Sequence, residues 1–161
     1  MGWIKLGFFA VMPFIAAAVG VMFGGWVSDL ILKRTGSASL ARKLPIVSGL
    51  LGASTIILAN FVDSDSAVIA ILSVAFFSQG MTGLGWALIS DIAPKNLMGL
   101  TGGIFNFAAN LADIITPLVI GLIVAGTGSF YYALGYVGAV ALLGALSYIF
   151  VLGEVRRMDV P

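Results

Sequence analysis

Four residues that could do chemistry inside a membrane follow one another at helical spacing: Asn106, Asn110, Asp113 and Pro117. Steps of four, three and four residues place all of them on one face of a helix. Asp113 lies near the middle of a long apolar stretch, where a charge is costly unless it meets a partner or water. Pro117 has no N–H to donate to the carbonyl of Asp113, which leaves that acceptor free. The stripe predicts a polar pathway, or else a hydrogen-bonded helix contact that only stabilises a bundle.

A second polar face comes earlier in the chain, at Gln79, Thr82, Trp86 and Ser90. Its steps of three, four and four residues again fit one side of a helix. We expect Gln79 and Thr82 to lie deep in the membrane, facing protein or water. Trp86 lies closer to the helix border, so it could line a cavity or belong to the aromatic belt at the membrane surface.

The composition excludes most other chemistry. The chain has no histidine and no cysteine, so it lacks the usual general base, a thiolate and soft metal ligands. Only 9% of its residues are charged, against about 25% in soluble domains, and its net charge is +1. We therefore predict a membrane protein that is not an enzyme, has no metal or cofactor, and binds no nucleic acid.

The charged residues divide the 161-residue chain into long uncharged stretches. About 20 apolar residues cross a bilayer as one helix, and a turn signal at residues 126–129 splits the last long stretch in two. The sequence thus predicts an all-α membrane protein with a single transmembrane region, whose five helices lie at about 6–32, 44–62, 66–91, 99–125 and 130–152.

Basic residues set the predicted orientation. Lys5 lies at one end of the five-helix arrangement, and seven basic residues lie at the other: Lys33, Arg34, Arg42, Lys43, Lys95, Arg156 and Arg157. By the positive-inside rule, we expect the N-terminus of this chain outside the cell and its C-terminus in the cytoplasm.

The connection between the first two helices carries a glycine, Gly25, and an acid, Asp29. Three basic residues follow: Lys33, Arg34 and Arg42. These residues could form a gating latch, meaning a salt bridge that breaks when helices separate. The same basic residues could instead only fix the topology, and physical reasoning alone favours that simpler role.

This connection resembles a known family. Gly25-x-x-x-Asp29 with its trailing basic residues is similar to the motif between the second and third helices of major facilitator superfamily transporters, echoed between the eighth and ninth. Further blocks are similar to the anion:cation symporter branch, which includes bacterial transporters of galactonate, glucarate and hexuronates. These blocks are residues 41–46, 85–86, 99–107, 110–112, 116–117 and 153–157.

The resemblance implies that the five helices correspond to helices 8–12 of a twelve-helix fold, a partial C-terminal bundle without the N-terminal half. It also implies secondary active transport in the cell inner membrane, by alternating access. The expected process is symport of a small anionic sugar acid with protons, or with sodium. The expected partners are the lipid bilayer, the N-terminal half, the substrate and the coupling ion.

The same resemblance implies roles for individual residues. Trp86 and Asn106 match positions that bind the substrate's hydroxyls and carboxylate, and Asn110 with Gln79 would line the cavity. Asp113, on the polar or proton pathway, departs from the family, which has a small residue there. A carboxylate at this place would repel an anionic substrate unless it is protonated.

Other interpretations remain open. The chain could be a non-transporting five-helix membrane subunit, a small oligomeric channel, or an inactive truncated product. Because five helices cannot complete paired three-helix repeats, we expect the isolated chain to bind no sugar acid and to transport nothing.

Overall fold

The computed structural model describes residues 3–158, with side chains from residue 9 onward. Its six α-helices are α1 (Trp3–Thr35), α2 (Ala38–Ser54), α3 (Asp65–Gly80), α4 (Gly85–Ile92), α5 (Met98–Thr127) and α6 (Phe130–Phe150). Three 3₁₀ segments extend or join them: Thr55–Phe61, Met81–Leu84 and Lys95–Leu97. The described part of the chain contains no strand.

These elements form five apolar spans: Phe9–Thr35, Ala38–Phe61, Asp65–Ile92, Lys95–Thr127 and Phe130–Phe150. Each span is long and apolar enough to cross a bilayer. Helices satisfy their own backbone hydrogen bonds, which is what a lipid environment requires of a spanning segment. The predicted all-α membrane fold with five transmembrane helices is confirmed.

The second span begins at Ala38, ahead of the predicted start at residue 44. Ser37 explains the early start, because its Oγ accepts a hydrogen bond from the N–H of Leu40 at 3.3 Å and so caps the helix. The turn before this helix is made at Gly36, whose φ of 67° is a left-handed conformation that favours glycine. Arg42 therefore lies on α2 itself, where its direction is fixed by the helix.

The third span is interrupted, although the sequence predicts one continuous helix over 66–91. Met81–Leu84 adopts 3₁₀ geometry between α3 and α4. Gly80, Gly83 and Gly85 cluster at this point, and glycine favours the α-helix less than other residues do. Because a 3₁₀ turn holds 3.0 residues rather than 3.6, side chains before and after the break do not keep one common face.

The first and third spans cross backbone against backbone. A Cβ added at Gly20 would lie 1.9 Å from the carbonyl oxygen of Phe77, and one added at Gly80 would lie 2.2 Å from that of Ala17. Such approaches require glycine, as is common where membrane helices pack closely. The close crossing of α1 and α3 fixes the part of the bundle on which α2 also packs.

Helix α5 is packed very differently. None of its residues is buried, and its helical neighbours are α4 and α6. It ends at Thr127, where Gly128 takes the left-handed conformation with φ of 65° and donates its N–H to Val124 O. The fourth span therefore stands at the side of the bundle with most of its surface uncovered.

Candidate functional site

The junction of α4 and α5 brings two predicted site residues into one neighbourhood. The rings of Trp86 and Phe105 meet edge to face, with centroids 5.2 Å apart and planes at 80°. Asn106 follows Phe105 directly in the chain. Trp86 remains 54% exposed, so much of its indole surface is open to a ligand or to lipid.

Gly85 makes room for this aromatic pair. A Cβ at this position would lie 3.0 Å from Cζ of Phe105, which is closer than nearly all real Cβ contacts. A larger residue at this position would therefore push Phe105 away from Trp86. The sequence Gly85-Trp86, noted above as part of the family resemblance, thus has a packing role at the α4–α5 junction.

Asn110 holds the side-chain amide of Asn106 in a defined orientation. Its Nδ2 donates to the backbone oxygen of Asn106 at 2.7 Å and to the side-chain Oδ1 at 3.2 Å. Oδ1 of Asn106 thus accepts one hydrogen bond, whereas its Nδ2 group donates none to a described residue. Both asparagines are exposed, so α5 presents amide groups that a ligand could reach.

Asp113 continues the same stripe towards the middle of α5. It is exposed, and it makes no ion pair or hydrogen bond with any residue that the structure describes. Helix α5 runs on through Pro117 to Thr127. The described residues thus supply no partner for this carboxyl group. The role of Asp113 in a proton or polar pathway stays a prediction.

Gln79 lies in a different place from the other predicted binding residues. It lines a cavity of about 460 Å³ between α2, α3 and α6, whose only other strongly polar lining group is Tyr148. The 3₁₀ break at Met81–Leu84 separates Gln79 from Trp86. The structure therefore places Trp86 against α5, the helix that carries Asn106 and Asn110, and places Gln79 at a separate cavity.

Arg42 is paired at the end of the bundle that carries most basic residues, here called the basic end. Its Nε lies 2.7 Å from Oδ2 of Asp91, and its Nη1 donates to Oγ of Ser28 at 2.8 Å. Asp29, Lys33 and Arg34 are exposed, and none of them forms an ion pair with a described residue. The ion pair observed here thus joins α2 to α4 and does not include Asp29.

Sequence reasoning missed Asp91 and Ser28 as partners of Arg42. The reason is the early start of α2, which places Arg42 on a helical face towards α4 rather than in a loop beside Asp29. A signal was available, because the sequence puts Asp91 at the basic end of the third predicted helix. It is the packing of α2 against α4 that pairs Arg42 with Asp91 rather than with Asp29.

No model of a protein family matches the chain. Several known bacterial transporters do resemble it. It is 46% identical to a D-galactonate transporter of Escherichia coli O6:H1, over 96% of the chain and 36% of that transporter. It is also 46% identical to the "Probable galactarate/D-glucarate transporter GarP" of Escherichia coli K12, over 99% of the chain and 36% of that protein.

A third relative comes from another bacterium. The "Probable galactarate/D-glucarate transporter GudP" of Bacillus subtilis is 44% identical over 98% of the chain and 35% of its own length. The chain thus spans about a third of the length of the curated relatives it matches. Over nearly its whole length it is similar to part of these bacterial transporters of D-galactonate and of galactarate and D-glucarate.

Proposed function

We propose that the chain supplies helices 8–12 of a secondary active transporter for a sugar acid of the galactonate, galactarate or glucarate class. One observation supports this most directly: at the α4–α5 junction the ring of Trp86 packs against that of Phe105, the residue before Asn106. The names of the relatives supply the substrate class. The part of the relatives that this chain does not match would provide the facing half.

The chemistry of a sugar acid suits this arrangement. A polyhydroxylated chain has apolar C–H edges that pack against an indole ring, and hydroxyl and carboxylate oxygens that accept hydrogen bonds. In this proposal Trp86 borders the carbon chain, while Nδ2 of Asn106 donates to an oxygen of the substrate. Asn110 acts through Asn106, since it fixes which end of that amide faces the substrate.

Asp113 is assigned to coupling in this proposal. A carboxylate at mid-span would repel an anionic sugar acid and is costly in the membrane, so we propose that it is protonated while the substrate is bound. Release of that proton together with the substrate would couple transport of the sugar acid to transport of the proton. Transport driven by sodium rather than by protons would argue against this assignment of Asp113.

The proposal also assigns an orientation of the bundle in the membrane and a motion of the two transporter halves. The basic end would face the cytoplasm of a bacterial inner membrane, and the two halves would alternate in access around the Trp86–Asn106 site. The Arg42–Asp91 pair, at 2.7 Å, would close that end in one state. Asp29, Lys33 and Arg34 remain candidates for contacts that form in another state.

Ligand binding tests this proposal, using a chimera in which the chain replaces the matching region of the Escherichia coli D-galactonate transporter. We expect galactonate and glucarate to raise its thermal unfolding temperature, because a ligand that binds only the folded state stabilises it. Neutral galactose serves as the control. Equal stabilisation by galactose, or none by any sugar acid in a folded chimera, would contradict the proposal.

The isolated chain distinguishes the alternative function. A five-helix channel or subunit would act without the rest of a transporter, so its ion conductance in a planar bilayer is the relevant measurement. We expect no conductance and no sugar-acid binding from the isolated chain. Reproducible single-channel events would favour the oligomeric channel instead.

A further inference from the structure

The chain segment after α6 is held in place although it has no regular secondary structure. Residues 152–158, here called the strap, follow the end of α6 at Phe150. The strap runs across the basic end of the bundle, from α2 to the end of α4, and is fixed by hydrogen bonds at four of its residues. A tail with so many anchors differs from the loosely ordered termini of most domains.

Two anchors tie the strap to α2. The Nζ of Lys43 donates a hydrogen bond to the carbonyl oxygen of Leu152. The backbone N–H of Val155 donates to Oγ of Ser39 at 2.7 Å. Both partners on α2 lie in its first two turns, so the strap is attached where that helix begins.

Two further anchors tie the strap to α4. Arg157 donates from Nη2 to the carbonyl oxygen of Ser90 at 3.1 Å, and the N–H of Met158 donates to the carbonyl oxygen of Ile92 at 2.9 Å. These carbonyls belong to the last turn of α4, where a helix has no partners of its own for them. The strap therefore caps α4 with groups that come from the far end of the chain.

A buried side chain lies between the two sets of anchors. Val155 is only 6% exposed and packs in one cluster with Ile46 of α2 and Leu88 of α4. Its neighbours in the strap, Glu154 and Arg156, are exposed. Val155 thus fills the space between the two helices that the hydrogen bonds of the strap connect.

Helix α4 is the element that such a strap would control. It has eight residues and is separated from α3 by the 3₁₀ segment Met81–Leu84. We propose that the strap is a conformational clamp, which holds α4 against α2 and whose release lets α4 move about this 3₁₀ break. The inference rests on contacts within this chain and does not depend on the identity of the substrate.

A disulfide trap tests where the strap lies. The chain has no cysteine, so Ser39→Cys with Val155→Cys introduces one unique pair in the full chain in lipid nanodiscs. Mild oxidation should form an intramolecular cross-link in most molecules. The pair Ser129→Cys with Val155→Cys, which joins opposite ends of the bundle, should form none. Failure of the first pair to cross-link would overturn the proposal.

Hydrogen exchange tests what the strap does, with two matched substitutions. Val155→Ala removes methyl groups from the cluster, whereas Val151→Ala makes the same change at a side chain that is 79% exposed. Val155→Ala should speed amide exchange in α4 by about tenfold relative to α5, because local opening is sensitive to lost packing. Val151→Ala should leave α4 unchanged, and the oxidised disulfide should slow its exchange.

Two results would overturn the clamp. One is exchange in α4 that stays the same in Val155→Ala while the strap itself becomes mobile. The other is an equal rise in every helix, which would make the strap a general stabilising element. Should Val155→Ala fail to fold, Ser39→Ala removes a single anchor and must show the same selectivity for α4.

Discussion

The crossing of α1 with α3 and the side of α5 are two regions of one membrane bundle with opposite kinds of packing. At the crossing, glycines such as Gly20 and Gly80 bring backbones into contact. On α5, no residue is buried, and the polar residues Asn106, Asn110 and Asp113 are exposed. The crossing is closely packed, while α5 presents exposed polar groups, of which Asp113 has no partner among the described residues.

These two kinds of packing indicate where function can reside in this chain. Where an added Cβ would collide with backbone, as at Gly20 and Gly80, little space is left for a ligand. A helix that is bound on one side only can carry polar groups towards a cavity formed with other helices. We therefore expect substitutions at the crossing to affect folding, and those on α5 to affect binding and transport.

The largest expected effect comes from a valine at the crossing. Gly20→Val should prevent folding, since its Cβ would lie 1.9 Å from Phe77 O and overpacking commonly costs about 1–3 kcal/mol or more. Gly103→Val makes the same change on α5, where an added Cβ meets nothing within 4 Å. Size-exclusion profiles in detergent should separate them, and similar profiles would remove the distinction between the two regions.

Asp113→Asn should have the next largest effect, on transport rather than folding. In the chimera, a lost proton carrier should lower sugar-acid uptake by about tenfold or more and flatten its dependence on pH. The thermal unfolding temperature should stay close to that of the parent chimera. An unchanged rate with an unchanged pH profile would assign Asp113 to helix packing alone.

A smaller effect is expected at the asparagines. Asn106→Ala should weaken substrate binding by about tenfold, because one hydrogen bond to a charged group contributes roughly 1.5 kcal/mol. Asn110→Ala should weaken it less, since Asn110 only orients Asn106. Binding constants from thermal shift titrations of the chimera would measure both. Asn96→Ala, at an exposed position before α5, is the control and should leave the constant unchanged.

The smallest effect concerns the basic end. Asp91→Asn removes the ion pair with Arg42, whose side chains are 14% and 31% exposed, and should lower the free energy of unfolding by about 1 kcal/mol. Asp29→Asn should change it little, because Asp29 forms no ion pair with a described residue. Denaturation measures both variants. An equal loss of unfolding free energy in both would indicate that Asp29, too, takes part in an ion pair of the gating latch.

The sequence was sufficient for the large features. The number of spans follows from the lengths of uncharged stretches, and the basic end follows from the positions of Lys and Arg, because both depend on local composition alone. These two features need no knowledge of how distant helices pack. The assignment of Trp86 and Asn106 to a substrate site rests on resemblance to a family and stays a prediction.

Features that depend on packing were not predictable in the same way. The partner of Arg42 is decided by the face that α2 turns to α4, and the separate place of Gln79 by the break at Met81–Leu84. The anchoring of residues 152–158 depends on hydrogen bonds to Ser39 and Ser90, far away in sequence. No local pattern encodes such contacts, since each joins elements from distant parts of the chain.

Uptake by the chimeric transporter in proteoliposomes is the decisive test of a substrate site at the α4–α5 junction. With an inward proton gradient, the chimera should accumulate galactonate or glucarate, and both Trp86→Ala and Asn106→Ala should reduce that uptake while leaving the protein folded. Liposomes containing the isolated chain should accumulate neither. A folded chimera that shows no uptake, or uptake that both substitutions leave unchanged, would contradict the assignment of the α4–α5 junction as the substrate site.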